Sequence, residues 1–391
     1  MALTTVSSDR LSTNVKNTNF TAAEKQDLTN DILPLSGQLG NRNLVINGAM
    51  QVAQRGTTST TQNAYTTVDR WKILSGGLDE GVTTAQSDIT SGLAYNDGFR
   101  KAYKVQNGNQ TSGAGASDYL VPIYRFESQD LANSGWDYVS SSSFITISFY
   151  VKSSVAQTFQ VQLYNGEPTQ SRQYVFEYSA TTSWTRITHT VPGGSGVEID
   201  NDVNHGFDLY FNLFHGTGST DNSYVNNQWN NYGGGNPQYK DNTSTWYTTN
   251  DATWEMTGLQ VEVGSQATPF EHRSFGEELA LCQRYYYVVA EGIDQFICFG
   301  DYFTATQCDG GWQLPIEMRT SPSLDTNTGS GYYIIWDTSG NSNIDGSFTL
   351  FRTHKRAVLW YAASSSSRTS GHANRWVTQN SNAKIAFDAE I

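Results

Sequence analysis

Between Ser143 and Phe214 the chain alternates apolar and polar residues in one short run after another, and this period of two constrains the fold more than any other feature. In SFITISFYVKS (143–153), Ile145, Ile147, Phe149 and Val151 fall on one side, with Thr146, Ser148 and Tyr150 on the other. TFQVQLYN (158–165) sets Phe159, Val161 and Leu163 against Gln160, Gln162 and Tyr164. RQYVFEY, SWTRITHTV and FDLYFNLF (207–214) continue the series. Successive side chains of a strand point to opposite faces, so each run describes a strand with one buried face. Antiparallel sheets accommodate that pattern, whereas parallel sheets are buried on both sides. Strands separated by long Ser/Gly/Asn loops predict an all-β, jelly-roll-like antiparallel β-sandwich.

The sandwich is expected over residues 43–273 and a smaller β domain over 274–391. At the seam, WEMTGLQVEVG (254–264) has roughly the period of a half-buried strand, carried by Met256, Leu259, Val261 and Val263. Gly264 ends it and Pro269 withholds a backbone donor where a sheet would continue. Glu277–Arg284 then places Leu279, Leu281 and Cys282 at helical spacing, so the segment reads as a structural hinge between two β-rich units. Beyond it, RYYYVV, QFICFGDYF, GYYIIWD, SFTLF and RAVLWYAAS predict strands. LPIEMRTSP (314–322) is expected to cross between them at an edge, limited by Pro315 and Pro322. Residues 1–42 lack strand alternation. Thr21 with Glu24 resembles a capping box opening a short helix, and Asn30, Pro34 and Gly37 stop anything longer. Such a segment has too little apolar surface to fold alone and is expected to dock on something else as a short, partly helical N-terminal anchor.

Charge and composition exclude several functions. The chain of 391 residues carries a net charge of −13 and no Lys/Arg cluster beyond HKR at His354–Arg356, so no nucleic-acid partner is expected. No run is long and apolar enough to insert in a membrane, and MALTTVSSDR lacks the charged and apolar regions of a signal peptide. Cys282, Cys298 and Cys308 lack the CxxC spacing of a zinc site and read as buried free thiols of a protein made in a reducing cytoplasm. The histidines form no HExxH, Ser forms no GxSxG elbow, and GGGN at 233–236 is not followed by the residues of a phosphate loop. Glu198, Asp200, Asp202, Asp208, Asp241 and Asp251 could supply the two carboxylates of a glycan depolymerase, but in Gly/Asn loops such residues cap turns or stay solvated. No catalytic residue and no metal ligand is assigned, and no cofactor is expected. A structural calcium ion at NDVNHGFD (201–208) is the one ion the oxygen donors suggest, although the stretch departs from the EF-hand pattern.

The segment 216–251 is far longer than an ordinary connection of about 4–6 residues, which signals function or disorder. It carries Tyr224, Trp229, Tyr232, Tyr239, Trp246 and Tyr247 among many amides. Ring faces pack on the C–H faces of sugars and amides pair with hydroxyls, but the same residues suit a subunit interface. These six are the candidate contact residues, for a glycan or for another subunit.

Four sequence pieces carry a family resemblance. NLVINGAMQVAQRG (43–56) followed by VDRW (68–71), GLQVEVG (258–264) with TPFEHRSFGEELALCQRYY (268–286), LPIEMRTSPSL (314–324) and the closing FDAEI (387–391) occur in an order that resembles bacteriophage tail-fibre and related virion proteins. The resemblance spans residue 43 to the end. It implies a sandwich similar to carbohydrate-binding modules with a smaller β domain behind it. It also implies a homotrimer assembled in the host cytoplasm, anchored to other virion proteins by residues 1–42 and adsorbing to host surface glycan. A capsid-decoration or fibre-joining protein without sugar binding is the alternative, and a glycan depolymerase the third reading.

Overall fold

A computed structural model describes residues 41–167, 170–233 and 237–391. The expected anchor, apart from Asn41 and Arg42, lies outside the described residues, as do positions 234–236 of GGGN. Residues Asn43–Ile391 form one compact unit.

The sandwich strands begin with β1 (Thr58–Ser59), β2 (Trp71–Gly76), β3 (Thr83–Asp88), β4 (Lys101–Gln106), β5 (Tyr119–Glu127) and β6 (Phe144–Ser153). They continue with β7 (Gln157–Asn165), β8 (Arg172–Ala180), β9 (Thr185–Pro192), β10 (His205–Asn212), β11 (Phe214–His215), β12 (Trp229–Asn231) and β13 (Thr253–Val263). Short helices α1 (Leu93–Asn96), α2 (Ser128–Ala132) and α3 (Thr245–Thr248) punctuate the loops. One sheet runs β1-β3-β4-β13-β6-β9. The facing sheet runs β11-β5-β10-β7-β8-β12, with β2 paired to β5, and the strand pairs are antiparallel. The fold is the predicted all-β, jelly-roll-like sandwich.

Alternation places the core as expected. Ile145, Ile147, Phe149 and Val151 from β6 meet Phe159, Val161 and Leu163 from β7 and Phe207, Leu209 and Phe211 from β10. Rings bridge the sheets: Trp71 lies 5.5 Å from Tyr103 and 5.7 Å from Phe211, which in turn lies 5.3 Å from Phe149 and 5.8 Å from Trp254. Much of the high aromatic content is therefore core, in offset and edge-to-face contacts that add to simple burial.

Strand β13 departs from the half-buried pattern. It is buried along nearly its whole length on both faces, and its register against β6 shifts between Thr257 and Gln260 around Gly258, at φ +62°. The segment from Asn43 fills this bulge. The Asn43 amide donates to the Leu259 carbonyl and its oxygen accepts from the Val261 and Val45 amides, while Leu259 N–H donates to Gly48 O. A local period cannot report such a cover, which comes from residues more than two hundred positions away.

After α4 (Phe275–Gln283), capped reciprocally by Ser274 and Glu277, the second β unit starts with β14 (Tyr286–Glu291), β15 (Phe296–Tyr302), β16 (Gln307–Gln313), β17 (Ser323–Thr326) and β18 (Tyr333–Asp337). β19 (Gly340–Ile344), β20 (Thr349–His354), β21 (Ala357–Ala363), β22 (Ala373–Thr378) and β23 (Lys384–Asp388) complete it. They make a small sheet β14-β23-β17 and a larger one β19-β18-β22-β15-β16-β21-β20, closed over Tyr333, Trp360, Trp376, Ile385 and Phe387. LPIEMRTSP is not a strand: Leu314 and Met318 N–H donate to Arg356 O and Lys355 O and Met318 is fully buried. Pro315 interrupts any ladder between these two anchor points. All three cysteines are buried free thiols.

The seam is the second departure, because what reads as a hinge is a buried junction. Arg70, buried between the two units, pairs with Glu390, donates to Arg125 O at 2.7 Å and lies 3.5 Å over the Tyr285 ring. Arg55 reaches Asp388 at 2.9 Å and Glu390 at 3.3 Å. Glu127 of β5 accepts from Arg284 at 2.5 Å and from the Tyr285 hydroxyl at 2.7 Å. Arg319 donates to the carbonyls of Ala389, Glu390 and Val203, and Glu278 accepts from Asn47 N–H at 2.5 Å. Ile46, Val52, Cys282 and Tyr285 fill the space between. Residues from every sequence piece that carries the family resemblance meet here.

Candidate functional site

On β7 the outward residues are Gln160, Gln162 and Tyr164, beside Tyr210 on β10 and Gln173 on β8. Alternation alone would leave them in solvent, yet Gln160 and Gln162 are buried. The cover comes from described residues of the 216–251 segment, 227–232 and 239–240, which lie across the outer face. It is tied down by the β12–β8 pairing, by Asn227 N–H to Val175 O at 2.8 Å and by Tyr232 N–H to Ser171 O at 2.8 Å. Gln160 Nε2 donates to Lys240 O at 2.8 Å, and the Tyr239 hydroxyl donates to Gln162 Oε1, whose amide nitrogen donates to Gln173 Oε1.

The cover is incomplete and leaves a groove. Its main part, about 290 Å³, is bordered by Leu74, Tyr119, Gln162, Tyr210, Tyr232 and Tyr239, with His215, Ser219 and Gln238 alongside. An adjoining pocket of about 320 Å³ shares Ser219 and Gln238 and is bordered by Thr220 and Asp221. Each falls near the lower end of the size range of small-ligand sites. Rings line it in a chain: Tyr210 is 5.9 Å from Tyr164, Tyr164 is 4.7 Å edge-on from Tyr232, and Tyr239 is 4.3 Å from His215.

The main groove is electrically neutral. Burial lowers the His215 imidazole to about 3, so the ring is uncharged at any ordinary pH. Burial likewise raises the Tyr239, Tyr210 and Tyr232 phenols, so they remain protonated donors. Asp208, beside the lining residue Tyr210, accepts from its hydroxyl at 2.9 Å and pairs with Arg125 at 3.3 Å. At the rim Asp221 is held below the usual carboxylate range by Ser223, whose amide donates to it at 2.6 Å. Apolar ring faces beside neutral amides and hydroxyls suit an uncharged polyhydroxylated ligand. No residue of the main groove is placed to donate or withdraw a proton at neutral pH.

The six candidate residues separate. Tyr232 and Tyr239 line the groove. Tyr224 is half-buried, its hydroxyl accepting from Asn230 at 3.0 Å. Trp229 packs inward against Tyr174 and Phe207, with its indole N–H donating to Pro192 O at 2.8 Å. Trp246 and Tyr247, at 0% and 1% exposure, belong to the sandwich core: Tyr247 stacks 4.1 Å from Phe214, and the Trp246 indole donates to Thr253 O. Burial removes these two from contact with any ligand or partner, because α3 turns both rings inward before β13 begins. Sequence reasoning missed Tyr119, Tyr210 and Gln162 as groove residues. Their signal was present, since Gln162 and Tyr210 stand on the polar side of two alternating strands.

Of the acidic candidates, Asp200 and Asp202 gather beside Glu167, whose carboxyl is raised by burial and by these two neighbours. Asp200 N–H donates to Glu167, Asp202 accepts from Asn204 within its own turn, and Asp251 accepts from Gln106. Asp208 pairs with Arg125 at 3.3 Å and lies 3.6 Å from His205 Nδ1. Among the described residues no cluster of three or more His, Cys, Asp or Glu could hold a metal ion.

No family model and no curated protein matches the chain. Solved structures similar to it include a CBM4 carbohydrate-binding module, at 12% identity and TM-score 0.29 over 56% of this chain and 98% of that one. A family 11 carbohydrate-binding module from Clostridium thermocellum, in complex with a β-1,3-1,4-mixed-linked tetrasaccharide, gives 14% identity and TM-score 0.26 over 54% and 98%. The enzymatically active domain of tailspike protein 4 of bacteriophage CBA120 gives 8% identity and TM-score 0.30 over 57% and 21%. At these values the fold assignment rests on the strand pairing itself.

Proposed function

We propose that the protein binds neutral glycan in the groove on the outer face of the β5-β10-β7-β8 sheet, without cleaving it. The observation that carries this reading is the groove's composition: Tyr210, Tyr232 and Tyr239 around Gln162, with no ionised side chain in its main part. A sugar ring presents an apolar C–H face and a rim of hydroxyls, which ring faces and fixed amides match without desolvating a charge. The order of the sequence pieces resembling tail-fibre proteins supports the wider role, adsorption of a virion to host surface glycan. A second reading, a joining or decorating part of a virion, is favoured by the inward turn of Trp229, Trp246 and Tyr247, which spends loop aromatics on packing.

The test is titration of the full chain with neutral and acidic oligosaccharides, read by calorimetry and a glycan array. Expected is binding to neutral sugars, weakened about tenfold or more by Tyr210→Ala or Tyr232→Ala in chains that still show the folded circular-dichroism spectrum at the titration temperature. Release of new reducing ends from a bound polysaccharide would replace binding by depolymerisation. Silence across the array, with the chain incorporated into particles, would favour the structural reading.

A further inference from the structure

The larger C-terminal sheet turns one face to its core and leaves the other bare. Cross-strand partners share a face, and register places Trp336 beside Arg375 and Arg375 beside Phe299. Leu359 stands on the outward side of β21, between the core residues Val358 and Trp360. Phe299 is 75% exposed and lies 4.9 Å from Phe296, also exposed; Trp336 and Leu359 are exposed too. Soluble surfaces scatter such residues singly, so a contiguous aromatic strip on a flat sheet is a surface with an occupant.

The charges on this face identify that occupant. Arg375 touches only the Trp336 ring, at 5.8 Å, and makes no ion pair among the described residues. Asp301 and Asp309 stand directly opposite each other on β15 and β16, two residues along from Phe299, a like-charge pair that destabilises the isolated sheet. The face thus bears Arg375 beside Phe299, a doubled anion two residues along, and Arg352 opposite Leu359 toward the far edge. Both signs on one flat apolar face give it the means to pair with itself, the Arg375 of one copy against the Asp301/Asp309 pair of another. We propose that a second copy of this chain docks here, sheet face on sheet face. The contact is isologous and closes on a pair, so the homotrimer implied by the family resemblance would need another surface. This inference is independent of the groove.

Sedimentation velocity of the full chain over a concentration series tests it. Expected is a concentration-dependent dimer that Phe299→Ser/Leu359→Ser shifts at least tenfold toward monomer, at an unchanged circular-dichroism melt because both side chains are exposed. Arg375→Asp and Asp301→Arg should each weaken the dimer, and the double swap should recover it. A wild-type chain that stays monomeric up to about 100 µM, or a double swap no better than its parents, would overturn the proposal.

Discussion

Tyr285 at the junction and Tyr239 at the groove are both almost fully buried tyrosines hydrogen-bonded to a side-chain oxygen, yet their surroundings are opposite. Tyr285 lies under the Arg70 guanidinium and donates to the Glu127 carboxylate, amid Arg55, Arg319 and Glu390. Tyr239 lies beside a neutral His215 and donates to an amide. Buried charge is tolerable only when every partner stays in place, so the junction holds the two β units in one arrangement. A groove that exchanges water for ligand needs groups whose desolvation is cheap, and neutral rings and amides provide them.

The largest effect that would break this contrast is at the junction. Glu390→Ala leaves Arg70 and Arg55 buried without their shared carboxylate and should cost about 3–5 kcal/mol in denaturant unfolding. A loss under about 0.5 kcal/mol would mean water reaches the site and the units are not held as described. At the groove Tyr239→Phe removes one neutral hydrogen bond and strands Gln162 Oε1, an expected loss of about 1–3 kcal/mol by the same assay. If it equalled or exceeded the Glu390 variant, the distinction between charged and neutral regions would fail.

Smaller still is the pH response. Burial raises Asp69, beside the junction, to about 6 from the usual 3.8, so its contribution falls as pH rises through that interval, where only the unfolded chain is ionised. His189 and His215 are lowered by burial to about 4 and 3. They act in the opposite sense: stability is lost as pH falls below about 6.5, where only the unfolded chain takes up protons. Asp69→Asn should therefore make melting temperature drop more steeply from pH 6 to pH 4 than in the parent, and parallel profiles would remove Asp69 from the account. The smallest effect sharpens the comparison from the other side. With His215 neutral and the tyrosines protonated, glycan affinity should stay flat between pH 5 and 8, and a titration in that range would place an ionised group in the groove.

Strand faces were legible because period two is a local property. Ile145 to Val151 and Phe159 to Leu163 went inward as read, whereas the Ser274–Glu277 cap of α4 was not read and the one capping box that was, Thr21 with Glu24, lies outside the described residues. Many strands were not read: β1–β5 and β12 in the sandwich, and β16, β17, β19, β22 and β23 in the second unit. In β22 only Trp376 of the inward residues is apolar, and β23, KIAFD, is buried without alternating. The groove was half legible: the long aromatic segment pointed to Tyr232 and Tyr239, while Gln162 and Tyr210 read as ordinary solvent-facing positions.

The sequence by itself determined the antiparallel sandwich and which side of each strand carries amides and tyrosines, because side chains alternate along an extended backbone whatever lies beyond it. Only the tertiary structure decided which aromatics of the 216–251 segment pack and which line a groove. A loop has no period, and its rings go where distant strands leave space: Trp246 beneath β13, Trp229 against Tyr174, Tyr239 over Gln162. The junction has the same origin, since Asn47, Arg70, Glu127, Glu278, Tyr285 and Glu390 are drawn together by the packing of two cores rather than by any pattern along the chain.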